Sequence, residues 1–387
     1  MKGAKLNMAL LDWEKAFDKV QHDKLYIAME RLGFSAHCIN VIKNCYMNPA
    51  FFVRDNFGKS ENRKQSTGIR QGCPLSPYLF VMVMSCIDHD IRSQCSGHVK
   101  NNRLPGLDFD MVYYADDTIL FSTDTRGLNE LLRLTEQVSS QYGLKLNRDK
   151  CVAIAMINDG NIHFQDNTPL EKQYETRYLG NEINKEVNIK HEISNTNNEV
   201  RLTWTRLHPY WKATNSSRKW QLIIYDAIVR SKLLYGLETL HLTEAMAKKL
   251  DAFQLRGLRK ILGLNTTFIN RANTNAKVHE EASRIAYPST QDNRRVQRFS
   301  EFHSKRKAKP MGHNLRTDRD DPLRQISFQP DSAYRVSYGK KRVGKPRQNW
   351  IHQTKKYVYE TVLGHWAYNE ENAQDDRVLN CARDRKF

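Results

Sequence analysis

The stretch MVYYADDTILF, from Met111 to Phe121, sets two adjacent aspartates between two apolar, strand-forming runs. This pattern predicts two short strands with Ala115, Asp116 and Asp117 at the bend between them. Two like charges at such a tip repel each other and resist ionisation unless a cation lies between them. The stretch therefore predicts either a site for a hard cation such as Mg2+ or an ordinary turn, in which aspartate is common.

A third acid follows an earlier apolar run. The segment LNMALLDW, residues 6–13, predicts a buried strand that ends at Asp12. If that strand lies beside the hairpin, Asp12 and Asp116 can bridge two Mg2+ ions, with Mn2+ as a substitute, and the carbonyl of Leu11 or Trp13 can add a ligand. Two ions roughly 3.5–4 Å apart can stabilise both the entering and the leaving oxygen of a phosphoryl transfer.

Helix and strand patterns succeed each other without a repeat along the first half of the chain. The amphipathic run DKLYIAMERLGF, residues 23–34, predicts a helix with Leu32 on its apolar face, and CVAIAMI, residues 151–157, predicts a further strand. This mixture predicts the α+β class. From about residue 186 the pattern changes to long helices rich in Arg and Lys, and beyond about residue 270 the chain becomes polar.

The charge of the chain is distributed unevenly. Residues 1–200 hold 24 Lys and Arg against 25 Asp and Glu, whereas residues 201–387 hold 37 against 18. A basic surface of this size attracts polyanions, and nucleic acid is the default partner. The alternative is a protein that simply carries many surface lysines.

Several classes of protein are disfavoured by the sequence. No apolar run has membrane-spanning length, and Asp12 interrupts the apolar run near Met1, which argues against a signal peptide. The seven cysteines are odd in number and form no CxxC pair, so they favour free thiols in a reducing compartment over a disulfide framework or a structural zinc site.

Five segments resemble, in their order along the chain, the motifs of reverse transcriptases. They are LLDWEKAFDKV (residues 10–20), QGCPLSP (71–77), YADD (114–117), GLKLNRDKC (143–151) and RYLG (177–180). Their forms are similar to the non-LTR, or LINE-type, retrotransposon branch. The resemblance is most specific over residues 8–185 and becomes weaker after about residue 265.

The resemblance implies a catalytic set for attack of a primer 3′-hydroxyl on the α-phosphate of a dNTP. Asp12 and Asp116 would be the principal metal ligands, and Asp117 would contact one ion or orient another acid. Lys150 would give a proton to the departing pyrophosphate, with Lys145 as the less favoured occupant of that position. The expected partners are an RNA template, a DNA primer and a dNTP, with no membrane.

The same resemblance implies where the nucleotide and primer lie. Phe17 would exclude a ribose 2′-hydroxyl, although it can also be a core residue, and Asp18 beside it is interpreted as a helix cap. Gln71 and Gly72 would lie against the nascent base pair. The primer grip would consist of Tyr178, Leu179 and Gly180.

The basic helices would form a thumb that contacts phosphates, whereas Trp204, Trp211 and Trp220 are interpreted as helix-packing residues. The candidate phosphate contacts are Lys219, Arg230, Lys232, Arg256, Arg259 and Lys260. The expected organisation is therefore a polymerase palm, an antiparallel sheet with helices, over residues 1–185. A helical thumb (186–268) and a basic C-terminal region (269–387), either folded throughout or partly disordered, would follow.

The match is incomplete. No segment resembles the fingers region or the endonuclease of such elements, so we expect a truncated or decayed copy whose extension activity alone is weak or absent. Two alternatives remain open: a non-catalytic nucleic-acid-binding remnant, and a protein similar to group II intron maturases. Reverse transcription at a chromosomal target implies the nucleus, with a cytoplasmic RNA–protein particle as the alternative. The candidate signals are SKRKAKP (304–310) and GKKR (339–342).

Overall fold

A computed structural model describes residues 6–155, 160–184, 189–240, 242–288, 294–336, 350–364 and 375–384. The chain divides into two compact units. The first comprises residues 1–179 and 183–186, and the second comprises residues 180–182 and 187–387. The sequence GKKRVGKPR (339–347), a second basic stretch for which RNA binding or a disordered tail is expected, lies outside the described residues.

The first unit combines strands and helices. Its strands are β1 (Asn7–Leu11), β2 (Ala50–Phe51), β3 (Arg54–Asp55), β4 (Gly58–Lys59), β5 (Arg63–Lys64), β6 (Met111–Tyr114), β7 (Asp117–Ser122), β8 (Val152–Ala155), β9 (Glu171–Lys172) and β10 (Glu175–Tyr178). Its helices are α1 (Ala16–Lys19), α2 (His22–Arg31), α3 (Ala36–Cys45), α4 (Ser76–Gln94), α5 (Gly97–Asn101) and α6 (Thr125–Gln141). The predicted α+β class is confirmed.

Five of these strands form one sheet in the order β6-β7-β1-β8-β9. Strand β1 lies in the centre and pairs antiparallel with β7 and with β8. Only the pairing of β8 with β9 is parallel. The strand predicted to end at Asp12 is therefore the direct neighbour of the strand that follows the predicted bend. The prediction that Asp12 and Asp116 bind cations together requires this arrangement.

Side chains alternate between the two faces of this sheet because successive residues of a strand point in opposite directions. One face, with Ala9, Leu11 and Leu120, belongs to the main core and is covered by α6, on which α4 packs. The other face carries a smaller apolar cluster that includes Leu10 and Ile154. Polar groups at the ends of β1 and β7 on this second face are therefore not covered by those helices.

The covering helices follow from their sequence patterns. Helix α6 buries residues at three- and four-residue spacing, and the side chain of Asp124 accepts a hydrogen bond from Gly127 N at its first turn. An ion pair ties α2 to α4, since Arg31 donates to Asp90 Oδ2 at 2.7 Å. Tyr142, just after α6, donates to the same oxygen at 2.8 Å. The pKa of Asp90 is consequently lowered to about 2, first by the Arg31 hydrogen bond.

The second unit is helical. Its helices are α7 (Ile189–Thr214), α8 (Arg218–Ile224), α9 (Ser231–Leu234), α10 (Glu244–Leu262), α11 (Asn275–Ala286), α12 (Phe299–Arg316), α13 (Pro322–Ser327), α14 (Trp350–Tyr357) and α15 (Asp375–Arg383). Strand β11 (Asn181–Asn184) pairs with β10. Single π-helical turns, Tyr225–Arg230 and Val358–Val362, continue α8 and α14.

The tryptophans of the second unit agree with the sequence interpretation at two positions and contradict it at a third. Trp211 is buried and packs edge-on against Trp204, as expected of helix-packing residues. Trp220 was expected to pack in the same way, and this was wrong because 60% of its surface is exposed.

In the first unit Leu32, predicted on the apolar face of α2, follows the helix as its C-cap and is 45% exposed.

The chain beyond residue 269 contains ordered helices with an apolar cluster of their own, including Met311 and Val378. The candidate signal SKRKAKP lies inside α12, where Lys307 is only 2% exposed. No helix among the described residues combines the length and apolar character needed to cross a membrane. The predicted palm, thumb and C-terminal boundaries stay predictions; the second and third of these regions fall in one compact unit.

Candidate active site

The predicted acidic hairpin forms as a tight turn. Strand β6 ends at Tyr114, which pairs with Asp117 at the start of β7, so Ala115 and Asp116 form the tip. Ala115 has a φ of 53°, a left-handed backbone conformation that is uncommon for alanine. The bend was predicted correctly, but Asp117 belongs to the strand rather than to the bend itself.

The register brings the acid after β1 beside this tip. Leu11 pairs with Thr118, so Asp12 follows β1 at the level of Asp117 on the neighbouring strand. Leu11 and Trp13 both belong to the helix-covered core. Because side chains alternate, Asp12 and Asp117 extend from the opposite, open face of the sheet.

The charges of the three carboxyl groups act on one another. The pKa of Asp117 is raised, first by its partial burial and then by the negative charges of Asp116 and Asp12. Asp117 also raises the pKa of Tyr178, where burial is again the larger cause. Repulsion of this kind within a group of oxygen donors is what a hard divalent cation would relieve.

The donor chemistry therefore fits a divalent cation, although the side chains do not form a closed ligand cage. In the described part of the chain, no group of three or more His, Cys, Asp or Glu side chains is arranged to hold a metal ion. The main-chain oxygen of Asp12 already accepts a hydrogen bond from Asn147 N at 2.8 Å. The carboxylates of Asp12, Asp116 and Asp117 are thus the groups that would hold an ion.

Lys150 lies at this cluster. Its Nζ is 3.5 Å from Asp12 Oδ2, and two thirds of its side chain is exposed. A turn holds it there, because Lys150 N donates to Asn147 O while Asn147 N donates to Asp12 O. The GLKLNRDKC segment therefore brings the ammonium group of Lys150 to Asp12, whereas no ion pair between Lys145 and the three acids is seen.

Phe17 lies between the core and the open surface. Its ring stacks on that of buried Phe80, with centroids 4.9 Å apart and planes 14° from parallel. It is half-buried and packs against the main core. Both predicted roles are therefore compatible with its position: one face of the ring is fixed by packing, and the side chain is not fully enclosed.

The segment before QGCPLSP is tied to α1. Gly68 N donates to Val20 O at 2.8 Å, and Ile69 N donates to Phe17 O at 2.7 Å. A Cβ on Gly68 would lie 2.7 Å from the main-chain oxygen of Asp18, which real Cβ atoms do not approach. The sequence analysis did not predict this close approach. The only signal for it is the turn-forming sequence STG (66–68), which precedes the motif and ends at Gly68.

Gln71 and Gly72 consequently lie near Phe17. Gln71 Nε2 donates to Asp18 Oδ1 at 3.3 Å, and both side chains are at the surface. The interpretation of Asp18 as a helix cap was wrong: α1 begins at Ala16, and Asp18 lies inside its first turn. Gly72 has a φ of 80°, with nothing within 4 Å of a Cβ placed there.

The predicted primer-grip residues form the end of a second hairpin. Tyr178 ends β10, and Leu179 and Gly180 follow with φ of 48° and 80° before β11 begins. Two successive left-handed residues are typical of a two-residue type I′ hairpin turn, so Gly180 allows the tight turn that was predicted. Tyr178 packs on the open face of the sheet with Leu10 and Ile119.

The six predicted phosphate contacts in the second unit divide into two groups. Arg230 forms an ion pair with Asp226 at 2.6 Å and lies over the Phe302 ring, while Arg259 donates to Asn273 O at 3.0 Å. The other four are exposed: Lys219, Lys232, Arg256 and Lys260. The predicted site roles remain predictions for all of these residues.

Comparison with known proteins is consistent with this geometry. The family profile described as reverse transcriptase (RNA-dependent DNA polymerase) matches residues 2–183. The chain is 32% identical over 149 residues to the Pol polyprotein of a type-2 retrotransposable element of Drosophila melanogaster, covering 38% of this chain and 14% of that protein. It is 25% identical over 266 residues to the RNA-directed DNA polymerase from the mobile element jockey of the same species, covering 66% and 28%.

The chain thus spans well under half the length of these curated relatives. Among solved structures it resembles apo telomerase from Candida tropicalis, with 12% identity, a TM-score of 0.37 and coverage of 83% of this chain and 53% of that one. A superposition this loose supports no conclusion about function. From the family profile, residues 2–183 form a reverse transcriptase domain, and the relatives described above are proteins of non-LTR retrotransposons.

Proposed function

We propose that the chain acts as an RNA-directed DNA polymerase of the non-LTR retrotransposon type. It would join the α-phosphate of a dNTP to the 3′-hydroxyl of a DNA primer paired with an RNA template, releasing pyrophosphate. The observation that carries the proposal is the strand register that sets Asp12 at the level of Asp117, next to the turn that holds Asp116, with Lys150 Nζ 3.5 Å from Asp12 Oδ2. Clustered acids and a nearby ammonium suit phosphoryl transfer.

Divalent cations, which the reverse transcriptase family uses, would neutralise charge on the phosphates and favour ionisation of the primer hydroxyl. We propose two Mg2+ ions, with Mn2+ as a substitute, held by Asp12 and Asp116 and contacted by Asp117. Lys150 would donate a proton to the leaving pyrophosphate, because an ammonium positioned there stabilises developing negative charge. Its contact with Asp12 keeps the ammonium at the acids before substrate binds.

The neighbouring residues would select and orient the substrates. Phe17, braced by Phe80, would collide with a ribose 2′-hydroxyl and so favour dNTP over rNTP. Gln71 would donate to the sugar or base, and Gly72 would let the backbone approach the nascent base pair. The turn at Leu179 and Gly180 would support the primer end.

Primer extension on an RNA template tests the proposal directly. The purified chain would be compared with Asp116→Ala, which removes one predicted ligand, and with Asp55→Ala, which removes an exposed acid from the hairpin of β3 and β4. We expect any extension to require Mg2+ or Mn2+, to persist in Asp55→Ala and to disappear in Asp116→Ala. Extension that survives in Asp116→Ala would contradict the assignment.

The second candidate is a non-catalytic nucleic-acid-binding remnant, favoured by the basic character of residues 201–387. Absence of extension with either metal, together with retained RNA binding, would support this candidate instead. Splicing of a host intron in the presence of the chain would support a maturase-like role. We also propose nuclear localisation, with a cytoplasmic RNA–protein particle as the alternative, which imaging of the tagged chain would distinguish.

A further inference from the structure

Four arginines line one cavity in the second unit. The cavity has a volume of ≈ 660 Å³ and lies between the end of α12, the loop after it, α13 and α15. Its arginines are Arg316, Arg319, Arg324 and Arg383. Arg316 and Arg383 are 67 residues apart in the sequence, and only the fold brings them together.

Two of these arginines are held in place by main-chain oxygens rather than by carboxylates. Arg316 Nη1 donates to Ala382 O at 2.8 Å. Arg324 Nη1 donates to Leu315 O and to Thr317 O, both at 2.7 Å. A carbonyl oxygen orients a guanidinium without neutralising it, and each guanidinium has five N–H donors. Both side chains therefore keep their positive charge and have donors to spare.

The acids around the cavity do not balance this charge. Two aspartates line it, Asp318 and Asp331. Arg319 pairs with Asp331, with Nε 2.9 Å from Oδ1, but both side chains are more than half exposed. Arg383 is exposed and forms no ion pair with any described residue. Four arginines, of which Arg316 and Arg324 are held in place, therefore line the cavity against two aspartates.

A basic track on α12 leads to this cavity. Lys305, Lys309 and Arg316 fall on one face of the helix, because spacings of four and eleven residues are close to whole turns. All three are exposed. The track is about 16 Å long at about 1.5 Å of rise per residue, which suits a chain of phosphates better than a single free anion.

We propose that the cavity and this track bind the phosphate backbone of a polynucleotide, as an anchor separate from the phosphate contacts predicted on α8 to α10. Guanidinium groups fixed in a fork geometry match the oxygens of a phosphate and bind it bidentately. The contact supplies affinity and little sequence preference. The inference deepens the proposed function, since the polynucleotide would be the template or primer strand of that reaction.

Salt-dependent RNA binding by the full chain tests the anchor without requiring catalysis. Binding of a short single-stranded RNA would be measured with a chelator present, over about 50–200 mM salt. The test variant carries Arg319→Gln and Arg383→Gln, and the control carries Lys248→Gln and Lys249→Gln on α10. The pairs are matched: Arg319 and Lys248 each have one carboxylate partner, and Arg383 and Lys249 are exposed without one among the described residues.

We expect the test variant to lower the slope of log affinity against log salt by about 1.4, since each phosphate contact on a single strand contributes about 0.7. The control should leave the slope nearly unchanged. Restoring lysine at both positions should recover charge-dependent affinity in part, and circular dichroism should match the parent chain. Equal slopes for test and control variants would overturn the proposal, because general positive charge would then explain the binding.

A second arm uses inorganic phosphate as the probe. If phosphate raises the thermal midpoint of the parent but not of the test variant while the RNA slope is the same in both, the cavity binds a free anion and the polynucleotide proposal is wrong. Loss of primer extension alone would not affect this binding assay. The primer-extension and RNA-binding assays therefore distinguish failure of the polymerase proposal from failure of the proposed anchor.

Discussion

Replacing Gly68 by alanine tests how the fold builds the nucleotide site. Gly68 has a φ of 91°, and a Cβ there would lie 2.7 to 2.9 Å from the O, Cα and C atoms of Asp18. These are main-chain atoms that no side-chain rotation can move. The loop must therefore shift away from α1, and two hydrogen bonds, Gly68 N to Val20 O and Ile69 N to Phe17 O, must lengthen.

The cost can be estimated from these contacts. A left-handed backbone costs an L-residue about 1–2 kcal/mol. Weakening two hydrogen bonds adds about 1 kcal/mol each. We expect Gly68→Ala to lower the free energy of unfolding of the first unit by about 3 kcal/mol. Gly72→Ala is the matched control, since Gly72 has a similar φ of 80° but nothing within 4 Å of its Cβ, so it should lose only about 1 kcal/mol.

Urea unfolding followed by circular dichroism would measure the difference between the two variants. Hydrogen exchange read by mass spectrometry would locate it, with faster exchange expected at residues 67–70 and 17–20 in Gly68→Ala only. If the chain extends primers, Gly68→Ala should also raise the KM for dNTP. Equal unfolding midpoints and unchanged exchange for the two variants would refute the close-approach reasoning.

Three further predictions concern other contacts. Asp90→Asn should lower the free energy of unfolding by about 2 kcal/mol at neutral pH, because the pKa of Asp90 falls from 3.8 to about 2 in the folded chain. A depressed carboxyl pKa stabilises above the unfolded value, so this difference should shrink as pH falls from about 4 to about 2 in urea titrations. Phe80→Leu should leave dNTP incorporation intact but increase rNTP incorporation about fivefold in single-nucleotide extension assays, because it removes about 1 kcal/mol of ring stacking on Phe17. Phe17→Ala should increase rNTP incorporation further in the same assays. Lys150→Ala should lower kcat about 100-fold in the same assays, whereas an unchanged kcat would exclude a proton-donor role.

The local elements were largely predictable from the sequence because their signals are local. The apolar run before Asp12 and the hairpin around Asp116 were both placed correctly, and the register that makes Asp12 and Asp117 neighbours follows from the antiparallel pairing of β1 with β7. The roles of these acids came from the order of the motifs rather than from any single motif. A lone pair of aspartates gives no such information.

Contacts between distant segments could not be predicted in this way. The stacking of Phe17 on Phe80 depends on how α4 packs against the main core, which no pattern around Phe17 encodes. Trp220 has the same helical surroundings in sequence as buried Trp211, yet it faces outwards. The arginine cavity is a similar case. In the sequence Arg316 and Arg383 look like isolated surface charges, and only the packing of α12 against α15 brings them to one cavity.

Titration of the purified chain with Mn2+, followed by the electron paramagnetic resonance signal of the free ion, would test the acidic site most directly. The parent chain should remove Mn2+ from solution, and Asp12→Asn and Asp116→Asn should each weaken this binding by about tenfold or more, equivalent to about 1.4 kcal/mol. Asp23→Asn, which removes an exposed acid on α2, should bind as the parent does. Equal Mn2+ binding by the parent and by a variant that lacks both Asp12 and Asp116 would contradict a shared cation at these carboxylates.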